Sequence, residues 1–556
     1  MNVDDLLAYK PTRGTKRPRE QSSKDTTATK KLSSDEATAN TDTAMSELSN
    51  AQKLELLLQD DAEDEIAEVL DVTGVKKMLL NFEKKVFKNQ ELRIKHADAP
   101  EKFMESEVDL HEEIEKLHVL ATVPELYPTL VDMNCLHTTI GLLNHENSDI
   151  VIAVVSLLQE LTDIDQLEES EEGAESLMAA LLEQQIVALL VQVLEKLDEK
   201  VREEAEGVHN VLAIVENMCE FKDDQVCQAA GSQGLLQWLL KRLKVRQFDP
   251  NKLYCSEILS ILVQGNSGNQ ELVGSMDGID TLLQCLAYYK RRDPSTPEEL
   301  ELMENLFNCL CSTLVCVANR VKFLKGEGLQ LMILMMKEKK LLSKSSSLKV
   351  LDHAMCTTEG TDNCMKFVEV YGLRTLFPQF MKTPKTKKHG GLSEQEHEEH
   401  VCGIVASLFK NVQGPLRDRV INKFLEIDHE KVDRLIELHF KYLQRVREAD
   451  DAFRRDNPML EDDDIIDDVE DEKYLRRLDA GLYTLQLVDY IVMELHVCGL
   501  ASIKSRLGTL LNRHGDSMKT VKTIMSEYVE RLGTGDPVNN DIEKEKRRLT
   551  SLIDEL

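Results

Sequence analysis

The stretch Gly234-Leu235-Leu236-Gln237-Trp238-Leu239-Leu240 places an apolar helix directly after a short loop. The same kind of junction recurs along the chain at intervals of 44 to 50 residues, and each is followed about twenty residues later by a second, more amphipathic helical pattern. A period of this length predicts a helical repeat array with two or three helices in each unit. The six junctions are Cys135-Leu136, Gln185-Ile186, Gly234-Leu235, Gly278-Ile279, Gly328-Leu329 and Gly372-Leu373.

The unit that begins near residue 296 shows how such helices are specified. Thr296 is a suitable N-cap, Pro297 suits the first helical position, and Glu299 predicts a capping box that reaches back to the Thr296 amide. Apolar residues then follow at spacings of three and four, which places them on one helix face. We expect this stripe to be core, and it comprises Leu300, Met303, Phe307, Leu310, Leu314 and Val317.

A single unit cannot bury such a stripe alone, so neighbouring units must stack. Composition agrees, because aromatic residues make up 5% of the 556 residues and only 13 are Pro, as expected of helices that pack through aliphatic side chains. The predicted fold class is all-α: an armadillo/HEAT-like superhelical solenoid with one long concave surface, a disordered N-terminal tail and a helical C-terminal cap.

Five regions are predicted along the chain. Residues 1–53 form a disordered tail, because polar residues without apolar periodicity dominate it. Residues 54–130 form an N-terminal helical cap, and residues 131–448 form the armadillo-type repeats. Residues 449–473 form an exposed acidic loop, where runs such as Glu461-Asp462-Asp463-Asp464 repel one another. Residues 474–556 form a C-terminal helical domain.

A basic cluster lies in the tail. Lys16, Arg17, Pro18 and Arg19 place three cations in four residues, and Lys30-Lys31 follow after a spacer. An accessible basic peptide suits the acidic groove of an import receptor, so the cluster predicts a nuclear localisation signal and a nuclear protein, with a solvated charge cluster as the alternative. No apolar segment approaches the roughly 18 residues that span a bilayer, so we expect a soluble intracellular protein without a membrane partner.

The sequence offers little catalytic chemistry. His397-Glu398-Glu399-His400 has its histidines three residues apart, whereas the zinc-binding HExxH helix needs four, so we interpret it as the solvated start of an acidic helix. The twelve cysteines form no CxxC pair, and Trp238, flanked by leucines, is interpreted as a packing residue. We expect a protein that is not an enzyme and that holds no metal or cofactor.

Several segments are too idiosyncratic for a generic leucine-rich repeat: 14–19, 88–95, 100–107, 158–165, 234–244, 323–332, 349–355, 430–443 and 474–483. In these segments the chain resembles the beta-catenin-like family of nuclear armadillo-type proteins, and the similarity covers nearly the whole chain, with 21–68 the weakest part. The resemblance implies an adaptor that associates with the NineTeen complex of the spliceosome and recognises nuclear localisation signals of splicing factors. The partners it implies are the Myb-related Cdc-five-like splicing factor and, in vertebrates, an antibody-diversifying cytidine deaminase.

The formal net charge of -32 favours a basic protein partner and argues against direct nucleic-acid binding. In a superhelix the last helix of each repeat lines the concave face, where carboxylates pair with Lys or Arg and Asn holds peptide backbone. The predicted groove residues are Glu160, Asp163, Glu216, Asn217, Glu220, Glu304, Asn308 and Asp352. An ordinary solvated helix face is the alternative for each of them.

Two other functions are compatible with an armadillo-type fold. A transport receptor of the importin-alpha kind reads basic peptides through recurring Trp and Asn arrays, which a chain with one Trp cannot build. A signalling scaffold like true beta-catenin needs a basic groove, which this acidic chain does not favour. Both stay as alternatives to the spliceosomal adaptor.

Overall fold

The computed structural model describes residues 71–337, 342–384, 392–457, 467–533 and 540–556. Every regular element within these ranges is a helix, which confirms the predicted all-α class. The described residues form two compact units, one ending at Ile186 and the other beginning at Val187, a division inside the predicted repeat region 131–448. The predicted tail and its signal, Lys16 to Arg19, lie outside the described residues.

The first unit contains seven α-helices among its described residues. Asp71 caps the first of them by accepting a hydrogen bond from the amide of Gly74 at 2.7 Å. The buried amide of Asn89 donates to the hydroxyl of Ser106 at 3.0 Å and ties the first helix to the second. The helices are α1 (Val72–Lys95), α2 (Met104–Leu117), α3 (Tyr127–Asp132), α4 (Cys135–Gly141), α5 (Ser148–Leu161), α6 (Ile164–Leu167) and α7 (Glu171–Glu183), with 3-10 turns at Pro100–Lys102, His118–Thr122, Pro124–Leu126 and Leu142–Asn144.

The second unit carries the remaining helices, in which short helices alternate with longer ones. They are α8 (Ile186–Lys196), α9 (Arg202–Ser232), α10 (Leu235–Leu243), α11 (Pro250–Val263), α12 (Ser267–Ser275), α13 (Gly278–Ala287), α14 (Pro297–Thr313), α15 (Val317–Lys325), α16 (Gly328–Lys337), α17 (Ser343–Met355), α18 (Thr361–Glu369), α19 (Leu373–Met381), α20 (Glu394–Asn411), α21 (Gly414–Asp456), α22 (Asp467–Asp479), α23 (Leu482–Val497), α24 (Ala501–Arg513), α25 (Met518–Arg531) and α26 (Asn540–Asp554), with a 3-10 turn at Thr358–Gly360.

A residue with positive φ stands immediately before the helix at each of the six predicted junctions, or one residue earlier. A left-handed residue ends one helix and lets the chain turn into the next. The repeat that the sequence predicts is therefore also a repeat of backbone conformation. These residues are Asn134 (φ 60), Gln185 (φ 54), Gly234 (φ 93), Asp277 (φ 56), Glu327 (φ 59) and Tyr371 (φ 63).

Gly328 is required at its junction by contact rather than by backbone conformation. A Cβ atom there would lie 2.3 Å from the ring of Phe323, five residues earlier. Phe323 is fully buried, so the ring cannot swing into solvent. The same arrangement recurs one repeat later, where a Cβ on Gly372 would lie 2.5 Å from the ring of Phe367.

The cap of α14 confirms part of the prediction and corrects part of it. The Thr296 hydroxyl accepts from the amide of Glu299 at 3.2 Å, as predicted. The Glu299 carboxylate, however, accepts from the amide of Ser295 at 2.6 Å rather than from that of Thr296. Along the stripe, Met303 to Leu314 are buried, but Val317 is 48% exposed because it begins the separate helix α15.

Buried asparagines join successive repeats. The Asn319 amide donates to the carbonyl of Gln270 at 2.7 Å and to that of Thr313 at 2.9 Å. One repeat earlier, the Asn269 amide donates to the carbonyl of Cys227 at 2.9 Å. These bonds satisfy carbonyls that would otherwise be buried at the ends of helices.

The predicted bounds of the acidic loop, 449–473, are wrong at both ends. Helix α21, which is interrupted at Glu426 to His429, continues to Asp456, and α22 already begins at Asp467. Arginines of α22 balance the acidic residues, since Arg476 lies 2.7 Å from Asp456 and Arg477 lies 3.5 Å from Asp450. The run from 461 to 464 lies outside the described residues.

No individual helix in the described ranges is both long enough and apolar enough to cross a bilayer. The consecutive helices α7 and α8 reach that length and composition only when they are counted together.

Candidate functional site

Six long helices of the second unit form what we call the helix row: α9, α11, α14, α17, α20 and α23. Each packs directly against the next one in this order. The row collects the predicted groove residues of this unit, with Glu216, Asn217 and Glu220 on α9, Glu304 and Asn308 on α14, and Asp352 on α17. All of these except Glu220, which is exposed, are half-buried.

Glu160 and Asp163 belong to the first unit and have local partners. The Glu160 carboxylate lies 2.8 Å from Nδ1 of His118. Asp163 caps the short helix α6 by accepting from the amide of Asp165 at 3.0 Å. Asp163 therefore has a structural role that the pattern of acidic residues did not reveal.

The first step of the row joins α9 to α11. The hydroxyl of Tyr254 donates to the carboxylate of Glu216, and burial together with this carboxylate raises the pKa of Tyr254 well above its usual value. The bond fixes the Glu216 side chain while leaving it half-buried at the surface of the row. Next to it, the Nδ2 atom of Asn217 is buried and has no hydrogen-bond acceptor within the described ranges.

Glu304 differs from Glu216 and Asp352, two other predicted groove carboxylates of the row, which have hydrogen-bond partners. It is half-buried on α14, and burial raises its pKa, with a further contribution from the neighbouring Glu301. Within the part of the chain that the structure describes, no cation or hydrogen-bond donor approaches its carboxylate. A buried carboxyl without a partner resists ionisation, and a nearby cation would reverse that effect.

Asp352 is already paired across the row. Its carboxylate lies 2.9 Å from Nδ1 of His400 on α20. A Cβ atom on Gly403 would lie 2.6 Å from the same carboxylate, so the glycine makes room for the pair. The sequence pattern missed His400, although its spacing of 48 residues from Asp352 equals about one repeat and could have suggested the contact.

The interpretation of His397 to His400 as a solvated helix start is wrong. Ser393 caps α20 with a complete capping box, so these residues fall in the buried second turn, with His397 and Glu398 each 4% exposed. Glu398 lies 3.0 Å from Arg434 and 2.7 Å from Lys441, and burial lowers the pKa of His397 to about 4.

Metal-ligating side chains do not converge anywhere in the described ranges: no three of His, Cys, Asp and Glu are grouped as a metal site would need. Trp238 is 9% exposed, and its indole N–H donates to the carbonyl of Leu194 at 3.2 Å. This confirms its interpretation as a packing residue.

A family described as catenin-beta-like, Arm-motif containing and nuclear matches residues 51–526. The chain belongs to the catenin-beta-like family. Its relatives include the rat beta-catenin-like protein 1, which is 54% identical over the full length of both chains. The human beta-catenin-like protein 1 is 57% identical, covering 87% of this chain and 86% of its own, and a homologue in fission yeast, Schizosaccharomyces pombe, is 33% identical, covering 86% and 82%.

Membership of the catenin-beta-like family confirms the resemblance inferred from the idiosyncratic segments. It also confirms the armadillo motif that the junction period predicts, and the family is described as nuclear.

Proposed function

We propose that this chain is a nuclear, non-enzymatic adaptor that takes part in pre-mRNA splicing by binding basic, nuclear-localisation-type peptides of splicing factors along the helix row. The observation that carries the proposal is the state of Glu304, a half-buried carboxylate with a raised pKa and no cation beside it among the described residues. A Lys or Arg from a partner would supply the missing charge and let Glu304 ionise.

The rest of the row supports an extended basic partner rather than a compact one. Glu220 is exposed on α9, two row positions from Glu304 on α14. An exposed ion pair contributes about 0.2 to 1 kcal/mol, so one contact gives little affinity. A peptide that meets several repeats at once adds these contributions without a new ordering cost for each. The net charge of -32 attracts such a peptide from a distance.

Asn217 and Asn308 suit the backbone of the same peptide. Both are half-buried, on α9 and α14. An asparagine amide can donate to a peptide carbonyl and accept from a peptide N–H. The paired residues Glu216 and Asp352 act differently: their bonds to Tyr254 and His400 hold the carboxylates in place and reduce the ordering cost of binding.

The Cdc-five-like splicing factor is the partner we propose from the family resemblance, and import of the adaptor itself would use the basic cluster Lys16 to Arg19 bound by an import receptor. An importin-alpha-like receptor is the competing function. A receptor would bind import machinery and recycle between compartments, whereas an adaptor would stay with splicing complexes.

The experiment is co-purification from nuclear extract after RNase treatment, with recovered proteins identified by mass spectrometry. The test variant carries Glu220→Lys and Glu304→Lys. The matched control carries Glu271→Lys on α12 and Glu430→Lys on α21, two exposed acidic residues outside the row. We expect splicing factors with basic signal peptides to be recovered by the unmodified chain and the control but lost from the test variant. Equal recovery of splicing factors by the test and control variants would refute the helix row as the binding surface. Recovery of import machinery without splicing factors would favour the importin-alpha-like receptor.

A further inference from the structure

The far end of the helix row differs from its middle. On α14 the surface of the row carries half-buried or exposed polar side chains, including Glu301, Glu304 and Asn308. On α23, every side chain from Leu482 to Leu495 is buried except Tyr483 and Leu487, which are half-buried. Helices α20 and α21 cover part of α23, and α25 and α26 also pack against it. The last helix of the row is therefore covered by helices from the C-terminal end of the chain.

Arg548 of α26 makes several of the polar contacts of this cover. Its guanidinium donates to the carboxylate of Glu494 on α23 at 2.7 Å. It also donates to the carbonyls of Lys410 at 2.9 Å and Phe409 at 3.2 Å. These carbonyls lie at the C-terminal end of α20, which carries partial negative charge. Arg548 shares the Glu494 carboxylate with Arg417 of α21, which lies 2.6 Å from Glu494. Two basic side chains of the chain itself thus hold an acidic position on the row.

A second ion pair holds α26 against α20. Glu545 lies 2.8 Å from Lys410, one turn of α26 before Arg548. Lys410 follows Gly403 by two turns of α20, and Gly403 abuts the Asp352 carboxylate. Residues at these spacings share one face of a helix. Helix α26 therefore contacts the face of α20 that continues the surface on which Asp352 lies.

The apolar anchorage of α26 is small. Among residues 542–556 only Leu549, at 1% exposure, and Ile553, at 7%, are buried. The helix also bears the run Lys544, Glu545, Lys546, Arg547 and Arg548, four of whose five residues are cationic. The helix as a whole is neutral, because Asp541, Glu543, Glu545 and Asp554 match its four cations. Its contacts with α20 and α23 rest on the charged side chains of Arg548 and Glu545 and on few buried apolar side chains, and a competing basic segment can replace contacts of this kind.

We propose that α26 is an intramolecular ligand of the helix row: through Arg548 it occupies the α20–α23 end, and an extended basic peptide bound along α9 to α17 displaces it when the peptide reaches that end. This proposal rests on the proposed function, because it uses the same row and the same ligand chemistry. Its consequence is that the free chain holds part of its own binding surface closed. The affinity measured for a basic peptide is then reduced by the fraction of molecules in which α26 is docked.

Peptide affinity in full-length variants tests the proposal. Arg548→Gln and Glu545→Gln both loosen α26, but they change the net charge in opposite directions. Arg547→Gln is the control for charge, because Arg547 is exposed on the same helix. The probe is a fluorescent Lys/Arg-rich peptide of the bipartite signal type, and an acidic peptide of equal length gives the background. Trp238 fluorescence during urea unfolding checks that each variant is folded.

We expect Arg548→Gln and Glu545→Gln each to tighten binding by about fivefold, with Arg547→Gln nearly unchanged. Hydrogen exchange of 540–556 in the unmodified chain should rise when the peptide is added. If Glu545→Gln weakens binding while both arginine variants tighten it equally, only net charge is at work and the proposal is wrong. Binding without any change in the exchange of α26 also overturns it. If no variant prefers the basic peptide over the acidic one, the proposed function itself fails and this inference falls with it.

Discussion

Gly328→Ala is expected to destabilise the second unit, although alanine favours helices. The new Cβ would lie 2.3 Å from one ring carbon of Phe323 and 2.4 Å from another, and the fully buried ring cannot move into solvent. Overpacking of this kind costs about 1 to 3 kcal/mol. The gain in helix propensity is at most about 1 kcal/mol, and smaller still at the first residue of α16. We expect a net loss of about 2 kcal/mol in the free energy of unfolding.

Urea unfolding followed by Trp238 fluorescence measures this loss, because the single tryptophan is buried in the same unit. Gly508→Ala in α24 is the matched control: its Cβ would meet no atom within 4 Å, so stability should rise by up to about 1 kcal/mol. In a Phe323→Leu background the cost of Gly328→Ala should shrink, since the smaller side chain relieves the clash. If Gly328→Ala is as stable as the unmodified chain, or if its cost is the same in the Phe323→Leu background, the packing argument is refuted.

Three further predictions concern charge. Burial raises the pKa of Glu304 above its usual 4.5. The affinity for a basic peptide should therefore fall as the pH drops through that raised pKa. Peptide-binding titrations at several pH values should show a smaller fall in affinity for Glu304→Gln than for the unmodified chain. Burial lowers the pKa of His353 from 6.5 to about 3. Between these two pH values the unfolded chain binds a proton that the folded chain does not, so stability present above pH 6.5 is lost as the pH falls toward 3. Urea unfolding at pH 7 and at pH 4.5 should show that His353→Gln reduces this loss of stability by up to about 2 kcal/mol. Replacing the three cations of the N-terminal cluster by Ala should abolish nuclear accumulation of a fluorescent fusion in cells, and unchanged accumulation would exclude this signal; the cations are Lys16, Arg17 and Arg19.

Much of the fold could be predicted because the repeat leaves a local mark on the sequence. A left-handed residue and a new apolar helix recur at each junction, and both depend on neighbouring residues alone. The helical acidic segments around 449–456 and 467–473 could not be predicted in the same way, because Asp450 and Asp456 are balanced by Arg477 and Arg476 of a separate helix. The repulsion among these acidic residues is visible in the local sequence, whereas the arginines that oppose it lie on a different helix.

The sequence predicts on which helices the candidate site residues lie, but not which of their side chains have hydrogen-bond or ion-pair partners. Helical periodicity placed Glu216, Glu304 and Asp352 on the long helix of each repeat, and the structure confirms those helices. Which of these carboxylates has a partner depends on residues one repeat away, such as His400 opposite Asp352 at 2.9 Å. The buried position of Glu398 escaped prediction for the same reason, since its cations lie on the separate helix α21.

Fluorescence anisotropy of a labelled Lys/Arg-rich peptide, titrated with the purified full chain, tests the helix row most directly. Glu304→Gln and Glu271→Gln remove the same charge, the first inside the row and the second outside it on α12. We predict that Glu304→Gln weakens binding by about fivefold, equivalent to about 1 kcal/mol, that Glu271→Gln leaves it nearly unchanged, and that an acidic peptide does not bind. Equal affinity of the two variants for the basic peptide would contradict the account.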